Sequence, residues 1–280
     1  MAATIASIGF VGLGSMGGAQ ARELAKLAIP LTVFDISSAA MEPFAGKAKL
    51  AASLAELGTN SDCVGICVQD DKQVNECAEQ LLPTMRRGSI ILIHSTVRPA
   101  TVQDIAARAG ERGIDVIDAS VTRTEMTSDG PFVFCMLGGD EALAARVQPI
   151  LDAYATNTML VGPLGSAMAL KICNNLISWC EIMLGIEAVK IAEAASVPID
   201  KLMTVMARNG VMSPPMRAFI NFRADPGSKE QRDTMAVQAG IGEKDLALAS
   251  ELAAGVNATS PITSFVRDRV RQEILDLCYR

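Results

Sequence analysis

Short apolar runs alternate with longer amphipathic segments over the first 160 residues, and this alternation limits the possible folds more than any other feature. The runs are rich in Ile and Val and are apolar on both faces, as strands buried within a parallel sheet are. The predicted strands are Ile5–Val11, Leu31–Phe34, Cys63–Val68, Ile90–His94, Asp115–Ile117 and Phe132–Leu137. Strands that alternate with helices predict βαβ units and a doubly wound α/β sheet.

The character of the sequence changes after Pro163. Residues 165–195 contain no proline, and their apolar residues recur with few polar ones between them, which predicts one long helix buried on most sides. The remaining residues also favour helices. We therefore predict an α/β domain over residues 1–163 and an all-helical domain over residues 164–280 that begins with this long interdomain helix.

The composition excludes several classes of protein. Half of the residues are hydrophobic and a fifth are charged, which excludes intrinsic disorder. The net charge of −6 gives no general attraction for phosphate backbones and argues against a nucleic-acid binder. No uncharged apolar run reaches the roughly 20 residues that span a bilayer, so we expect no membrane segment.

Cysteine and histidine usage bears on compartment and on metal binding. An odd number of cysteines, seven, without a short metal-type pair indicates free thiols in a reducing cytoplasm. His94 is the one histidine, so a site that needs two imidazoles is excluded, and we predict no metal site. It ends a predicted strand, where a structural or cofactor-edge hydrogen bond is the favoured interpretation and a catalytic role the alternative.

The turn Gly12-Leu13-Gly14-Ser15-Met16-Gly17 follows the first predicted strand and precedes a helical run. In the Rossmann-type arrangement the first glycine permits the tight turn, the second lets a pyrophosphate approach the backbone, and the third lets helix and strand pack closely. The N-terminus of the helix then presents free N–H groups to the phosphates. We predict a dinucleotide site formed by Gly12, Leu13, Gly14, Met16 and Gly17.

Asp35 ends the second predicted strand, 18 residues after Gly17. A carboxylate at about this spacing accepts hydrogen bonds from the ribose hydroxyls of NAD and repels the 2′-phosphate of NADP. No arginine adjoins it. The sequence therefore predicts NAD as the cofactor, with NADP as the alternative if a neighbouring loop supplies a cation.

Lys171 and Asn175 share one face of the long predicted helix because they are four residues apart. Their neighbours are apolar, and an ammonium in such a helix is costly unless it faces a cleft or a partner. Partial desolvation lowers the pKa of a lysine, which then acts as a general acid or base near neutrality. The other interpretation is a lysine whose stem carries its charge to solvent.

Taken together, the glycine turn, the segment around Lys171 and the segment Lys244–Ala249 resemble the β-hydroxyacid dehydrogenases, which include 3-hydroxyisobutyrate dehydrogenase. The resemblance covers nearly the whole chain in the right order. It implies that Lys171 is the catalytic acid and base and that Asn175 binds substrate. It also implies that Thr96 lies beside the nicotinamide and that Lys244 closes over the cofactor.

The chain departs from the family pattern after Asp118, where a Ser-Gly-Gly turn usually holds the substrate carboxylate. Here the residues are Thr122, Arg123 and Thr124. The hydroxyl of Thr122 can replace the serine, and Arg123 can form a bidentate bond to the carboxylate or point to solvent. All three are candidate substrate-binding residues.

The resemblance implies an NAD-dependent oxidoreductase acting on a small β-hydroxy acid. The long apolar helix and the short helical domain around it predict a homodimer or homotetramer, because the surface of that helix needs covering. An imine reductase of similar architecture is one alternative, although Lys171 argues against it because imine reductases usually carry another residue there. A non-catalytic NAD-binding protein is the second alternative, and Lys171 argues against that too.

Overall fold

The computed structural model describes residues 4–124 and 130–279. The chain forms two compact units, Met1–Lys171 and Ile172–Arg280. The strands are β1 (Ile8–Val11), β2 (Leu31–Phe34), β3 (Lys49–Leu50), β4 (Cys63–Ile66), β5 (Ile90–Ile93), β6 (Asp115–Arg123), β7 (Val133–Gly138) and β8 (Ala155–Gly162). The helices between them are α1 (Ser15–Leu24), α2 (Ser38–Met41), α3 (Leu54–Thr59), α4 (Asp71–Leu81), α5 (Pro99–Gly110) and α6 (Glu141–Leu151).

One sheet contains all of these strands, in the order β3-β2-β1-β4-β5-β6-β7-β8. Strands β1 to β6 are parallel, as the apolar runs predict, and the α/β fold class is confirmed. Strand β7 runs antiparallel to β6, and β8 is parallel to β7. The strand order reverses between β1 and β4, which is where open sheets of this type bind their ligands.

Apolar residues of the sheet form two cores, and successive residues of a strand alternate between them. The first, which we name the Phe10 core, includes Phe10 and Ile117. The second, the Val11 core, includes Val11 and Val116. Because β1 and β6 contribute neighbouring residues to different cores, each core covers one face of the sheet.

The helical unit contains no strand in residues 172–279, as predicted. Its helices are α7 (Ser166–Ala194), which begins in the first unit, α8 (Ile199–Arg208), α9 (Pro214–Ala224), α10 (Lys229–Gly255) and α11 (Pro261–Cys278). Proline begins α9 and α11, where its missing N–H costs no hydrogen bond. Trp179, Ile182 and Leu246 belong to the apolar core of this unit.

The two units divide within α7, after Lys171, whereas the sequence prediction divides the chain at residue 163. The physical reason is an anchor between β6 and the start of α7. The Asp118 carboxylate accepts hydrogen bonds from the main-chain N–H groups of Gly165 at 2.8 Å and Met168 at 2.9 Å. Met168 is also part of the Val11 core. The first turn of α7 therefore belongs to the sheet.

Within the described residues, α7 is the one helix long and apolar enough to cross a membrane, with a mean hydropathy of 1.2. A core helix of a globular protein has the same length and composition. Within the most apolar 18-residue stretch of α7, 33% is buried. The helix also carries Lys171, Glu181, Glu187 and Lys190. The absence of a membrane segment stays a prediction.

His94 is enclosed between β5 and β6. Its Nδ1 lies 2.6 Å from the carbonyl oxygen of Ala119, and its Nε2 lies 3.2 Å from the hydroxyl of Tyr154. A carbonyl only accepts, so Nδ1–H donates to it and Nε2 accepts the Tyr154 hydroxyl. Both ring nitrogens are therefore satisfied in the neutral tautomer, in agreement with the structural interpretation.

We expect His94 to make the fold sensitive to acid. Burial lowers its pKa from 6.5 to about 4, so the folded protein takes up this proton less readily than the unfolded chain. The neutral His94 ring contributes its full share to the free energy of unfolding above pH 6.5, and this share is lost as the pH falls towards 4. Chemical unfolding should show the wild type losing about 3 kcal/mol more than a His94→Gln variant across this interval. Equal losses in both proteins would contradict this interpretation.

Candidate active site

The glycine turn between β1 and α1 is shaped by close backbone approaches. Gly12 has φ +86°, and a Cβ on it would lie 2.2 Å from the carbonyl oxygen of Cys67. A Cβ on Gly17 would lie 2.1 Å from the carbonyl oxygen of Gly12. Gly14 differs, because no atom lies within 4 Å of the position its Cβ would take. The turn therefore leaves open space at the glycine assigned to the pyrophosphate.

Helix α1 begins at Ser15, immediately after this open position. Its N-cap residue is Gly14, which has no side chain to cap the main-chain N–H groups, and the first turn contains no acidic residue. Leu13 and Met16 pack against the Phe10 core below the turn. A helix N-terminus of this kind attracts anions through its main-chain N–H groups. The residues present thus fit the pyrophosphate of a dinucleotide.

Asp35 lies at the end of β2 and holds the glycine turn in place. Its Oδ2 accepts the main-chain N–H of Leu13 at 2.6 Å, and its Oδ1 accepts that of Ser37 at 2.8 Å. The carboxylate does not cap α2, whose N-cap is Ser37. Each oxygen keeps a second lone pair, so Asp35 can still accept a bond from a ribose hydroxyl.

Thr96 lies in the loop that follows β5, and it is half-buried. The neighbouring Ser95 hydroxyl accepts the main-chain N–H of Val68 at 2.7 Å, which ties this loop to the loop after β4. Val68 in turn follows Cys67, whose carbonyl faces Gly12. Contacts across the carboxyl ends of three adjacent strands therefore connect Thr96 to the glycine turn.

Strand β6 directs alternate side chains to the start of α7. Asp118 binds the N–H groups of Gly165 and Met168, and the Ser120 hydroxyl lies 3.2 Å from the sulfur of Met168. Burial raises the pKa of Asp118, while the two N–H groups act in the opposite direction. Lys171 is half-buried and follows Met168 by three residues. Asp118 thus fixes the helical turn that leads into Lys171.

Thr122 and Arg123 extend β6 instead of forming a turn, pairing with Phe134 and Val133. The expected family turn is therefore replaced by strand, because both residues continue the ladder with β7. Side chains alternate along a strand, so Thr122 shares the face of Asp118 and Ser120.

Arg123 lies on the opposite face of the sheet, and its guanidinium is 5.1 Å from the ring of Phe132, a residue of the Phe10 core. Thr124 donates its main-chain N–H to the Phe132 carbonyl at 3.0 Å, and its hydroxyl lies 3.3 Å from that of Thr156. Of the three candidates after Asp118, the structure brings only Thr122 to the face that binds α7.

Within the helical unit, a buried carboxylate on α10 connects Asn175 and Lys244. Asp245 accepts the side-chain amide N–H of Asn175 at 2.7 Å and the indole N–H of Trp179 at 3.3 Å. The Lys244 ammonium lies 3.0 Å from its other oxygen. Two residues predicted from the sequence, Asn175 and Lys244, therefore meet at one carboxylate.

Sequence reasoning missed three residues of this arrangement: Asp118, Trp179 and Asp245. Each lies inside or beside one of the motifs described above, and the residue types themselves are informative. Asp118 is a charged residue within an apolar run, Asp245 directly precedes one, and charged residues need partners when buried. Trp179 follows Asn175 by one helical turn. Their partners come from other elements, which periodicity alone does not reveal.

A model of the NAD binding domain of 6-phosphogluconate dehydrogenase matches residues 7–162. The chain is 28% identical to the mitochondrial 3-hydroxyisobutyrate dehydrogenase of Drosophila melanogaster, covering 96% of this chain and 84% of that protein. It is 29% identical to the NAD-dependent L-serine dehydrogenase of Pseudomonas aeruginosa, covering 92% and 88% respectively.

Solved structures share the fold over nearly the whole chain. The Mycobacterium tuberculosis 3-hydroxyisobutyrate dehydrogenase with L-serine has a TM-score of 0.81 at 24% identity, over 98% of this chain and 96% of that one. An imine reductase from Myxococcus stipitatus in complex with NADP+ has a TM-score of 0.67 at 18% identity, over 96% and 94%. At these identities the likeness shows a common fold.

Proposed function

Because the chain belongs to the β-hydroxyacid dehydrogenase family and is an NAD(P)-dependent oxidoreductase, we propose that it oxidises the hydroxyl group of a small β-hydroxy acid with Lys171 as acid and base. The observation that carries the proposal is the anchor between β6 and α7. Asp118 holds the first turn of α7, Thr122 lies on the same face of β6, and Lys171 follows within the helix. Thr122 therefore lies on the strand, and Lys171 on the helix, that this anchor joins.

The substrate class follows from what two relatives act on. By name, one oxidises 3-hydroxyisobutyrate and the other L-serine. Both molecules contain a primary alcohol on the carbon next to the one that bears the carboxylate. We propose that this chain acts on the same HOCH₂–CH–COO⁻ unit. The substituent on the central carbon is then the part that distinguishes one family member's substrate from another's.

Cofactor binding in this proposal uses the first 96 residues and Lys244. The turn from Gly12 to Gly17 and the N-terminus of α1 would hold the pyrophosphate, and Asp35 would hold the ribose. The family resemblance assigns Thr96 and Lys244 to the nicotinamide end. When bound, NAD would supply the acceptor for the hydride of the carbinol carbon. The protein supplies orientation and moves the proton.

Lys171 acts on the hydroxyl proton. In the direction of oxidation its neutral amine accepts that proton as the carbonyl forms, and in the direction of reduction its ammonium returns it. In this proposal Thr122 on β6 and Asn175, one helical turn after Lys171 on α7, hold the substrate.

Asp35 is expected to make NAD the preferred cofactor, because its charge repels a 2′-phosphate. Steady-state kinetics should give a higher kcat/KM with NAD than with NADP. The double variant Asp35→Ala with Ile36→Arg should shift that ratio roughly 10- to 100-fold towards NADP. Ile36 is a suitable site because it is 92% exposed. Ile36→Arg alone is the matched control, and preference of the unaltered protein for NADP would contradict this role of Asp35.

Thr122 and Arg123 provide a matched test of how the acid group is bound. We expect Thr122→Val, which removes only the hydroxyl, to raise KM for the acid roughly 10-fold. Arg123→Ala should change KM less, because the guanidinium stacks on Phe132 across the sheet. The measurement compares a β-hydroxy acid with its amide. A large increase for the acid alone in Arg123→Ala would show that Arg123 binds the carboxylate after all.

Assembly as a homodimer or homotetramer remains part of the proposal. It is supported by the exposed apolar residues Ile177, Leu184 and Ile191, which recur every seventh residue along α7 and are 60%, 63% and 61% exposed. A line of this kind on one helix is typical of a surface that another helix covers.

A further inference from the structure

Helix α7 is capped by a carboxylate that belongs to another element. The helix begins at Ser166, and the carbonyl oxygen of Gly165 accepts the main-chain N–H of Ala169 at 3.1 Å, which makes Gly165 the N-cap residue. Glycine has no side chain that could accept an N–H group of the first turn. Asp118 on β6 accepts the N–H of Met168, the third helical residue, and that of Gly165 itself. It therefore does what the side chain of an N-cap residue does in most helices.

A glycine on the neighbouring strand leaves room for this carboxylate. Gly138 on β7 pairs with Asp118, and a Cβ on Gly138 would lie 2.3 Å from Asp118 Oδ1 and 2.7 Å from its Oδ2. Asp118 has 0% of its surface exposed, so its bonds to α7 are shielded from competing water. A side chain at position 138 would therefore displace the carboxylate from the start of the helix.

Met168 is held through its side chain as well as through its main chain. Its sulfur lies 3.2 Å from the hydroxyl of Ser120, which follows Asp118 by two residues on the same face of β6. Lys171 follows Met168 by three residues, about 4.5 Å further along the axis of the helix. Any displacement of the first turn of α7 is therefore passed on to Lys171 within one helical turn.

Proton transfer is sensitive to displacements of this kind. The amine and the hydroxyl must lie within hydrogen-bond reach of each other, and a displacement of about 1 Å at a reacting group can lower the rate roughly 10²-fold. The glycine turn and Asp35, to which we assign the cofactor, belong to β1, α1 and β2. A change at Asp118 is therefore expected to reach the transfer of the proton without reaching the binding of NAD.

We propose that Asp118 is a positioning residue, which sets the place of the Lys171 amine by capping α7 from β6, and that Gly138 keeps free the space this carboxylate occupies. The inference rests on the proposed function, because it requires Lys171 to transfer the proton. Asp118 acts through the main chain of the helix and contacts neither substrate nor cofactor.

The test introduces Asp118→Asn into two backgrounds, the wild type and Lys171→Ala. Asparagine keeps one acceptor oxygen but turns an NH₂ group towards the other N–H, so one of the two bonds to α7 is lost. With NAD and either 3-hydroxyisobutyrate or L-serine as the probe, kcat should fall roughly 10- to 100-fold in the wild-type background. KM and the affinity for NADH should each stay within about 2-fold, because no binding contact is removed.

The Lys171→Ala background separates positioning from general damage to the fold. There the same substitution should lower kcat by less than about 2-fold, because no amine is left to displace. A merely structural role would reduce the active fraction equally in both backgrounds. Equal reductions of kcat in the two backgrounds would therefore overturn the proposal, and so would wild-type kcat in Asp118→Asn.

Asp115→Asn is the matched control. It removes a carboxylate from the exposed first residue of the same strand, where Asp115 lies 3.7 Å from Arg146. This variant should keep the kcat, the KM and the NADH affinity of the wild type. A loss of kcat equal to that of Asp118→Asn would show that any change of charge on β6 has this effect, and would contradict the proposal.

Gly138→Ala provides an independent variant, because it leaves the carboxylate in the chain but displaces it. It should lower kcat with NADH affinity retained, and it decides if Asp118→Asn does not fold. Hydrogen exchange of the unaltered protein tests the cap without any substitution. The third N–H of a helix has no acceptor within the helix, so protection of the Met168 N–H shows the bond to Asp118. Unprotected exchange there, or wild-type kcat in Gly138→Ala, would overturn the proposal.

Failure of this inference is distinguishable from failure of the proposed function. Near-normal kcat in Lys171→Ala, or a wild type that oxidises no hydroxy acid, would count against the proposed function. An impaired Lys171→Ala together with an unimpaired Asp118→Asn would leave the proposed function standing and show that Asp118 serves the fold alone.

Discussion

Replacing Lys171 with alanine is expected to lower kcat by roughly 10²–10⁴, the usual contribution of a positioned general acid or base. The proton of the substrate hydroxyl would have no acceptor on α7. NAD affinity should stay nearly unchanged, because the glycine turn and Asp35 lie far from residue 171 in the sequence and belong to other elements. Steady-state kinetics and a direct titration with NADH measure the two quantities separately.

Lys171→Arg serves as the matched variant, since it keeps the positive charge. A guanidinium holds its proton too tightly to act as a base, so arginine should not restore kcat. The limb of the pH profile that belongs to the lysine should disappear in both variants. Near-normal kcat in Lys171→Ala on the true substrate would reject the mechanism and favour a reductase that obtains its proton elsewhere.

Alanine at Gly14 and alanine at Gly17 are expected to have opposite effects on binding and folding. Gly14 has φ −64° and open space around its Cβ position, so Gly14→Ala should leave the free energy of unfolding within about 0.5 kcal/mol of wild type. The added methyl group occupies space reserved for the pyrophosphate. NAD affinity should fall roughly 10-fold or more.

Gly17→Ala should instead destabilise the fold. Its Cβ would lie 2.1 Å from the carbonyl oxygen of Gly12, so α1 must move away from β1. Overpacking of this kind costs about 1–3 kcal/mol, which chemical unfolding resolves. Wild-type NAD affinity in Gly14→Ala would show that the open space at this glycine is not the cofactor site.

The buried parallel strands could be predicted from the sequence because their signal is local. Strands β1, β2, β4 and β5 are each apolar runs bounded by turns, and the structure has them within a few residues of the predicted bounds. Strand β8 was missed because most of its residues are exposed or half-exposed, and polar residues interrupt it. Strand β3 contains two exposed residues, too few for any periodic signal.

The direction of β7 and the length of β6 depend on pairing between strands. Nothing in the run Phe132–Leu137 specifies an antiparallel neighbour, so the parallel interpretation of this strand was wrong. The pairing with β7 also keeps Thr122 and Arg123 in β6, where a family-based expectation predicts a turn. Their placement on opposite faces follows from strand alternation once that pairing is known.

The candidate site could be predicted only in part, because some of its contacts join residues that are distant in the chain. The glycine turn, Asp35, Lys171 and Asn175 carry local signals of spacing and residue type. Asp245 lies within the segment Lys244–Ala249, but its role depends on Asn175, 70 residues away in the chain. Long-range hydrogen bonds of this kind require the folded structure.

Deuterium transfer from a β-hydroxy acid to NAD tests the account most directly. The carbinol hydrogens of 3-hydroxyisobutyrate and of L-serine are replaced with deuterium, and the reduced nicotinamide is recovered after incubation with the protein. The account predicts deuterium on the nicotinamide for at least one of these acids, and transfer roughly 10²- to 10⁴-fold slower with the Lys171→Ala variant. Reduction of a cyclic imine by NADPH, with no deuterium transferred from any β-hydroxy acid, would contradict it.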